Sequence, residues 1–211
     1  MLHNNINKFL NISIICLILL TSCSTTMIDR SVKYNENMVL EEISSFDPSF
    51  DNLNSLLYVN IDKQSMYLLK KGTISRAFKI STSYYGTGSE TNSFKTPLGK
   101  HEIYKKIGED LPINAILKGR VWNGAIANVI TDDIDTDFDH VTSRILWLDG
   151  LEEGKNKGPG VDSRSRYIYI HGTAEEGLIG KPASDGCIRM YNSEVIELFS
   201  LVEEKAQVWI N

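Results

Sequence analysis

The chain has 211 residues and a formal charge of −5, long enough for one domain with a proper core. Its 22 basic and 27 acidic side chains are scattered, without a long basic run, which argues against nucleic acid as the main partner.

In chain order, the first element is a targeting segment. Lys8 is a sparse basic start, and Ile12 to Leu20 (ISIICLILL) is apolar but too short to span a bilayer. Residues 1–22 read as a signal peptide. Leu20-Thr21-Ser22-Cys23 resembles the bacterial lipobox, whose cysteine is lipidated and becomes the first residue after cleavage. An ordinary signal peptide cut near the same place is the plainer alternative. On the lipobox reading Cys16 is discarded, Cys23 carries lipid, and Cys187 is the one thiol left in an oxidising compartment. It then has no disulfide partner within the chain, and a lone cysteine is a poor basis for a structural zinc site. No second hydrophobic stretch reaches transmembrane length, so membrane attachment rests on the lipid. Ser24 stands where some envelopes use aspartate for inner-membrane retention. The expected location is the cell envelope, facing the periplasm, on the outer membrane rather than the inner.

Residues 23–54 are polar and weakly periodic and read as a lipidated tether, with one short helix at Asn37 to Ile43. From residue 55 to 211 the pattern becomes that of a single domain. LLYVNI from Leu56 alternates, MYLL follows, and Thr73 to Ser81 alternates again after a Lys70-Lys71-Gly72 turn, which predicts a hairpin. Further strands are expected at His101 to Lys105, Ala125 to Ile130, Ile145 to Leu148, Tyr167 to Ile170 and Gln207 to Ile210. Gly, Pro, Asn and Asp clusters separate them. One helix is expected at Ser193 to Glu204, with Val195, Phe199 and Val202 on one face and Asn192 or Ser193 as its cap. The result is a mainly β domain, a sandwich or barrel, with one C-terminal helix.

The chemistry gathers in the last quarter of the chain. Tyr167, Tyr169 and His171 share one face of a strand, and Ile168 and Ile170 the other. His171 sits at the strand's end, where Gly172-Thr173 begins a turn. Sixteen positions later comes Cys187, in Ser184-Asp185-Gly186-Cys187-Ile188-Arg189. Gly186 lets the backbone approach a substrate closely, and the amides near Gly186 and Cys187 are candidates for an oxyanion site. Arg189 places a cation near the thiol, which favours thiolate. A histidine paired with a cysteine is the usual arrangement for activating sulfur. A buried cysteine in a tight turn is the bland alternative.

These residues resemble the L,D-transpeptidases of bacterial cell walls, with the YkuD-type catalytic domain. That family carries a histidine followed by glycine, then Ser/Thr-His-Gly-Cys, an apolar residue and Arg. Here His171-Gly172 and Ser184 to Arg189 take those places, and Thr96-Pro97-Leu98-Gly99 looks like the family's TP-x-G turn. The resemblance implies the family's β-sandwich, with Cys187 as nucleophile, His171 as general base and then acid, and the Gly172 carbonyl orienting the imidazole. Ser184, Asp185, Gly186, Arg189 and Tyr169 would form the oxyanion and substrate-binding surface. The implied substrate is the peptidoglycan tetrapeptide stem, cut between its third and fourth residues through a thioester. D-alanine leaves, and an amine of a second stem resolves the thioester into a cross-link between two third residues. The resemblance implies no metal or organic cofactor, and a monomer. A hydrolase of the same chemistry, trimming stems with water, and an inactive wall-binding lipoprotein are the competing readings. One position departs from the pattern: Asp185 stands where the family usually has histidine. The expectation from spacing is that it holds Arg189; contact with the stem's ammonium or amide is the alternative.

Overall fold

The computed structural model describes residues 32–211, so the signal peptide, Cys16 and Cys23 lie outside the described residues. Ten strands follow in chain order: β1 (Ser55–Asn60), β2 (Ser65–Lys70), β3 (Thr73–Lys79), β4 (Gly99–Ile107), β5 (Ala115–Lys118), β6 (Val121–Ile126), β7 (Val141–Gly150), β8 (Tyr169–Thr173), β9 (Ile188–Met190) and β10 (Gln207–Ile210). Among the described residues there are two helices, α1 (Glu36–Phe46) and α2 (Asn192–Leu201). The fold is mainly β, as the alternation predicts.

The sheet runs β3-β2-β1-β10-β4-β7, and β7 continues to β8 and β9. The β5–β6 hairpin joins at one point, where Ile116 pairs with Thr142. Just past β3, Ser81 exchanges two backbone hydrogen bonds with Arg189 of β9, at 2.9 and 2.8 Å, so the sheet's two ends meet. Leu57, Met66, Ile103, Leu146, Ile170 and Ile188 form one core with Val195, Leu198 and Phe199 of α2. The site is therefore built where β8 and β9 meet the chain leaving β3.

β1 and β2 are buried on both faces, which is why their sequence is almost continuously apolar. Leu57, Val59, Met66 and Leu68 face the main core, while Leu56, Tyr58, Tyr67 and Leu69 pack against Val39 and Ile43 of α1 and Trp209 of β10. Thus the described part of the expected tether docks on the domain. Val39 and Ile43 lie four residues apart on one helix face and are both buried. Removing two such side chains from water contributes roughly 3–5 kcal/mol. The Asn35 side chain caps the helix by accepting from the Met38 N–H at 3.4 Å. Tyr58 donates to Glu42 at 2.7 Å, and Lys100 pairs with Asp47, fixing the segment further.

Other elements differ from the expectation. β6 lies earlier than predicted and exposes all six residues, so no burial alternation marks it. β9 has only three residues and cannot show a period. α2 ends at Leu201 because the chain turns extended at Val202 to enter β10; Lys70 and Lys106 donate to the carbonyls of Leu201 and Val202 at 2.7 and 2.8 Å. Asn192 does not cap α2. Its side chain turns inward, and the Glu176 carboxylate accepts the Asn192 N–H at 2.8 Å instead.

His101 of β4 is fully buried. A carbonyl only accepts, so Nδ1–H donates to Gly99 O at 3.0 Å, and Nε2 accepts from Ser163 Oγ at 2.9 Å. Burial lowers its pKa to about 4. The unfolded chain takes up this proton near pH 6.5 and the folded one does not until about pH 4, so acid favours unfolding across that window. The loss amounts to about 3 kcal/mol when complete. His101→Gln should lose less stability than the parent between those pH values in urea unfolding. Equal losses would show that His101 titrates normally.

Candidate active site

β8 and β9 run parallel, with Ile170 beside Ile188 and His171 beside Arg189. Both isoleucines point into the main core, so strand alternation turns His171 and Arg189 to the opposite side. Cys187, one residue before β9, packs there with Tyr169 and Ile145. The structure thus brings the expected histidine and cysteine to one face at the junction of two short strands.

His171 is buried, and its Nδ1–H donates to the Gly172 carbonyl at 2.7 Å. This fixes the tautomer and leaves the lone pair on Nε2. Gly172 permits the arrangement: a Cβ there would lie 2.6 Å from Asn192 Oδ1 and 2.9 Å from Thr142 O. Asn192 ties the surroundings together, accepting from Thr142 and Ser143 hydroxyls at 2.6 Å each and donating to Thr173 O at 2.7 Å. Burial lowers the His171 pKa, partly opposed by the Asp139 carboxylate. The imidazole is therefore neutral at rest.

Cys187 Sγ donates to Tyr167 O and accepts the Tyr169 N–H, both at 3.4 Å. Burial pushes the thiol up to about 12, and Asp139 adds to the rise. The Tyr169 amide, Arg189 and Arg166 pull the other way without overcoming it. Arg189 pulls toward thiolate in the direction its place in the sequence suggests, but its charge is shared with Glu175 and Asp139, and desolvation is the larger effect. Both shifts favour a neutral thiol beside a neutral imidazole, the pairing from which the imidazole can take the thiol proton during attack.

Short local bonds shape the nucleophile loop. Ser184 Oγ donates to Cys187 O at 2.6 Å and accepts the Gly186 N–H at 3.2 Å. Thr96 of the TP-x-G turn donates to Gly186 O at 3.1 Å, which explains why that turn accompanies the cysteine motif. Gly186 has φ +114°, and a Cβ there would meet Lys95 O at 3.2 Å. Its amide belongs to the loop, which leaves the Cys187 N–H as the candidate oxyanion donor. Tyr169 contributes its amide to the sulfur, while its hydroxyl accepts from Arg120 at 3.0 Å.

Arg189 is buried and paired with Glu175 at 3.0 Å and Asp139 at 2.9 Å. Glu175 also accepts from the Thr136 N–H at 2.8 Å and from its hydroxyl at 2.5 Å. Asp185 is not the partner of Arg189. The Gly186 turn leaves it exposed at the rim, whereas Arg189, inside β9, turns inward. Partial burial and the Asp139 charge raise the Asp185 pKa. Asp185 stands between two cavities. One, of about 230 Å³, is lined by Tyr84, Tyr85 and the carboxylates of Asp135, Asp137 and Asp139. The other, of about 270 Å³, is lined by Phe94, Ser165, Arg166, Tyr167 and Ile168. A larger space of about 450 Å³ at Leu53, Lys70 and Glu203 contains none of the site residues. Among the described residues no cluster of His, Cys, Asp or Glu is placed to hold a metal ion.

The sequence reading missed Glu175, Asp139, Asn192 as a hub, and Arg166. Glu175 lies four residues after His171, but nothing local distinguishes it from Glu176 beside it.

The protonation state is testable by thiol alkylation. Reaction with iodoacetamide should be slow at neutral pH and rise steeply into alkaline solution, because thiolate forms only there. Asp139→Asn should shift the profile to lower pH, since a negative charge near sulfur is gone. Fast alkylation with a plateau already at neutral pH would contradict the neutral pair.

Residues 54–210 match the family YkuD, described as the L,D-transpeptidase catalytic domain. Over 50 residues the chain is 55% identical to YkuD of Bacillus subtilis (strain 168), a stretch covering 23% of this chain and 30% of that protein. It is 48% identical over 52 residues to YqjB of the same organism, covering 24% and 28%. Both relatives bear L,D-transpeptidase names, and each match spans less than a third of the relative's length. A solved L,D-transpeptidase from Mycobacterium smegmatis superposes with a TM-score of 0.45 at 15% identity, covering 75% of this chain and 58% of the other. The family match takes in β1 to β10 and every residue of the cysteine–histidine site, and the chain belongs to the YkuD family of L,D-transpeptidase catalytic domains.

Proposed function

We propose that the domain is a cysteine-dependent acyltransferase acting on peptidoglycan tetrapeptide stems. The observation that carries this is the His171 tautomer: with Nδ1–H held by Gly172 O, the free lone pair lies on Nε2, on the face that also presents Cys187. Nε2 takes the thiol proton as sulfur adds to the carbonyl carbon of the stem's third residue. The Cys187 N–H meets the developing oxyanion. The tetrahedral species collapses, the C–N bond to D-alanine breaks, and the imidazolium gives its proton to the leaving amine. An acceptor amine then attacks the thioester and loses a proton to Nε2, and a new amide forms. Sulfur leaves as thiolate and regains that proton from His171. The new bond joins two third residues when the acceptor is a second stem.

Disaccharide-tetrapeptide incubated with the protein should yield free D-alanine and a cross-linked dimer by mass spectrometry. Tripeptide without dimer would assign the resolving step to water. The absence of both products would sink the proposal. For the N-terminus, we propose that Cys23 is lipidated and anchors the domain in the envelope. Metabolic fatty-acid labelling should mark the parent and not Cys23→Ala; equal labelling would reject it.

A further inference from the structure

Arg166 has no role in the chemistry above, yet its placement calls for one. It is a half-buried cation lining the 270 Å³ cavity beside the nucleophile loop, where the exposed Asp185 carboxylate at the rim is the one acidic group of the lining. Its guanidinium donates to Gly88 O at 3.3 Å, Ser93 Oγ at 3.3 Å and Lys95 O at 2.7 Å. All three acceptors are neutral, and none of the ion pairs among the described residues includes Arg166. Glu90 attracts it only from beyond bonding distance. A guanidinium has five N–H groups, so two remain for a ligand, already oriented by the loop carbonyls. A partly desolvated cation without a counter-ion is costly unless a bound anion supplies one.

Its position relative to the sulfur is equally specific. The Lys95 carbonyl that Arg166 holds lies 3.2 Å from where a Cβ on Gly186 would sit, one residue before Cys187. Arg166 and Cys187 also interact electrostatically. Beyond Asp185 the other cavity carries Asp135, Asp137 and Asp139, and its one arginine, Arg189, is already paired with Asp139 and Glu175, so that side disfavours an anion. Arg120 already donates to the Tyr169 hydroxyl and stacks over Trp147 and Tyr167 at 4.7 and 4.9 Å.

We infer that Arg166 binds the free C-terminal carboxylate of the donor stem, the group carried by the residue that leaves. This rests on the proposed reaction and assigns the residue that reads the end of its tetrapeptide donor. Both Nη2 hydrogens are given to Ser93 and Lys95, so the carboxylate is held through a single charge-assisted hydrogen bond from one of the free N–H groups, and that bond supplies both affinity and direction. It would set the stem in the groove with its leaving end toward Phe94 and Arg166.

The test uses Cys187→Ser protein, which binds without turnover, and two ligands: the tetrapeptide stem with a free C-terminal carboxylate and the same stem as its carboxamide. The acid should bind about tenfold more tightly by calorimetry, a difference of roughly 1.4 kcal/mol. Adding Arg166→Gln should erase that preference while leaving carboxamide binding unchanged; Arg166→Lys should restore part of it. A preference that survives Arg166→Gln, or acid and amide bound equally by the starting protein, would overturn the inference. So would an equal loss for both ligands, which would mean that Arg166 only holds the 88–95 loop. Turnover by the unmutated enzyme separates the two levels. Equal rates on acid and carboxamide reject the role of Arg166 alone, whereas no D-alanine release from any stem rejects the reaction itself and the inference with it.

Discussion

Cys187→Ser should fold like the parent and release no detectable D-alanine from a stem tetrapeptide. The two side chains are nearly isosteric, and a serine hydroxyl can keep the bonds to Tyr167 O and the Tyr169 N–H that now hold the sulfur. What disappears is the chemistry. The base available is a buried imidazole whose pKa is already lowered by desolvation. Such a base can take a thiol proton as sulfur attacks, but a hydroxyl is a far weaker acid and a poorer nucleophile. An unchanged thermal midpoint together with lost turnover is the expected pair of results. Appreciable turnover in the serine protein would remove Cys187 from its role.

Glu175→Ala should be the most damaging single change outside the reacting pair. Glu175 and Arg189 are 1% and 2% exposed, and the carboxylate also holds Thr136 through two hydrogen bonds. Removing it strands a buried guanidinium with the partly exposed Asp139 as its one remaining carboxylate partner. Breaking one side of a buried pair costs roughly 3–5 kcal/mol. In a domain of this size that lowers the midpoint by on the order of 10 °C. Activity should fall as well, because Arg189 is the register partner of His171 and its position sets the face on which the base lies. Glu175→Gln keeps the acceptor for Thr136 and should lose less. Midpoints within a degree or two of the parent for both variants would mean that the buried pair contributes nothing.

The reacting residues were legible because their signals are local. A histidine in an alternating run and a cysteine beside a glycine turn need no tertiary information to be singled out. The strand itself lies later than the alternation suggests, since β8 runs Tyr169–Thr173 with His171 at its centre, Gly172-Thr173 continues the strand instead of turning, and Tyr167 falls outside it at φ +59°. The partners of Arg189 were not legible. Spacing offered Asp185, two residues from the cysteine, but a chain that reverses at Gly186 sends the two side chains to different sides. The true partners, Glu175 and Asp139, come from a turn after β8 and from the loop before β7, and only folding unites them. The same holds for α1. Two apolar residues four apart in a polar stretch read as a weak helix on a tether, and their value depends on the second face of β1 and β2 being apolar as well. β6 escaped its true position because a fully exposed strand carries no burial pattern.

The central claim is covalent: Cys187 becomes acylated by a stem peptide and passes the acyl group on. Rapid mixing with disaccharide-tetrapeptide, acid quench and intact-mass measurement would test it directly. The account predicts a transient adduct with the mass of the disaccharide-tripeptide acyl group, mapped to the peptide containing Cys187, absent from Cys187→Ser and longer-lived when no amine acceptor is present. Release of D-alanine with no adduct on Cys187 at any time, and at the same rate in Cys187→Ser, would contradict it.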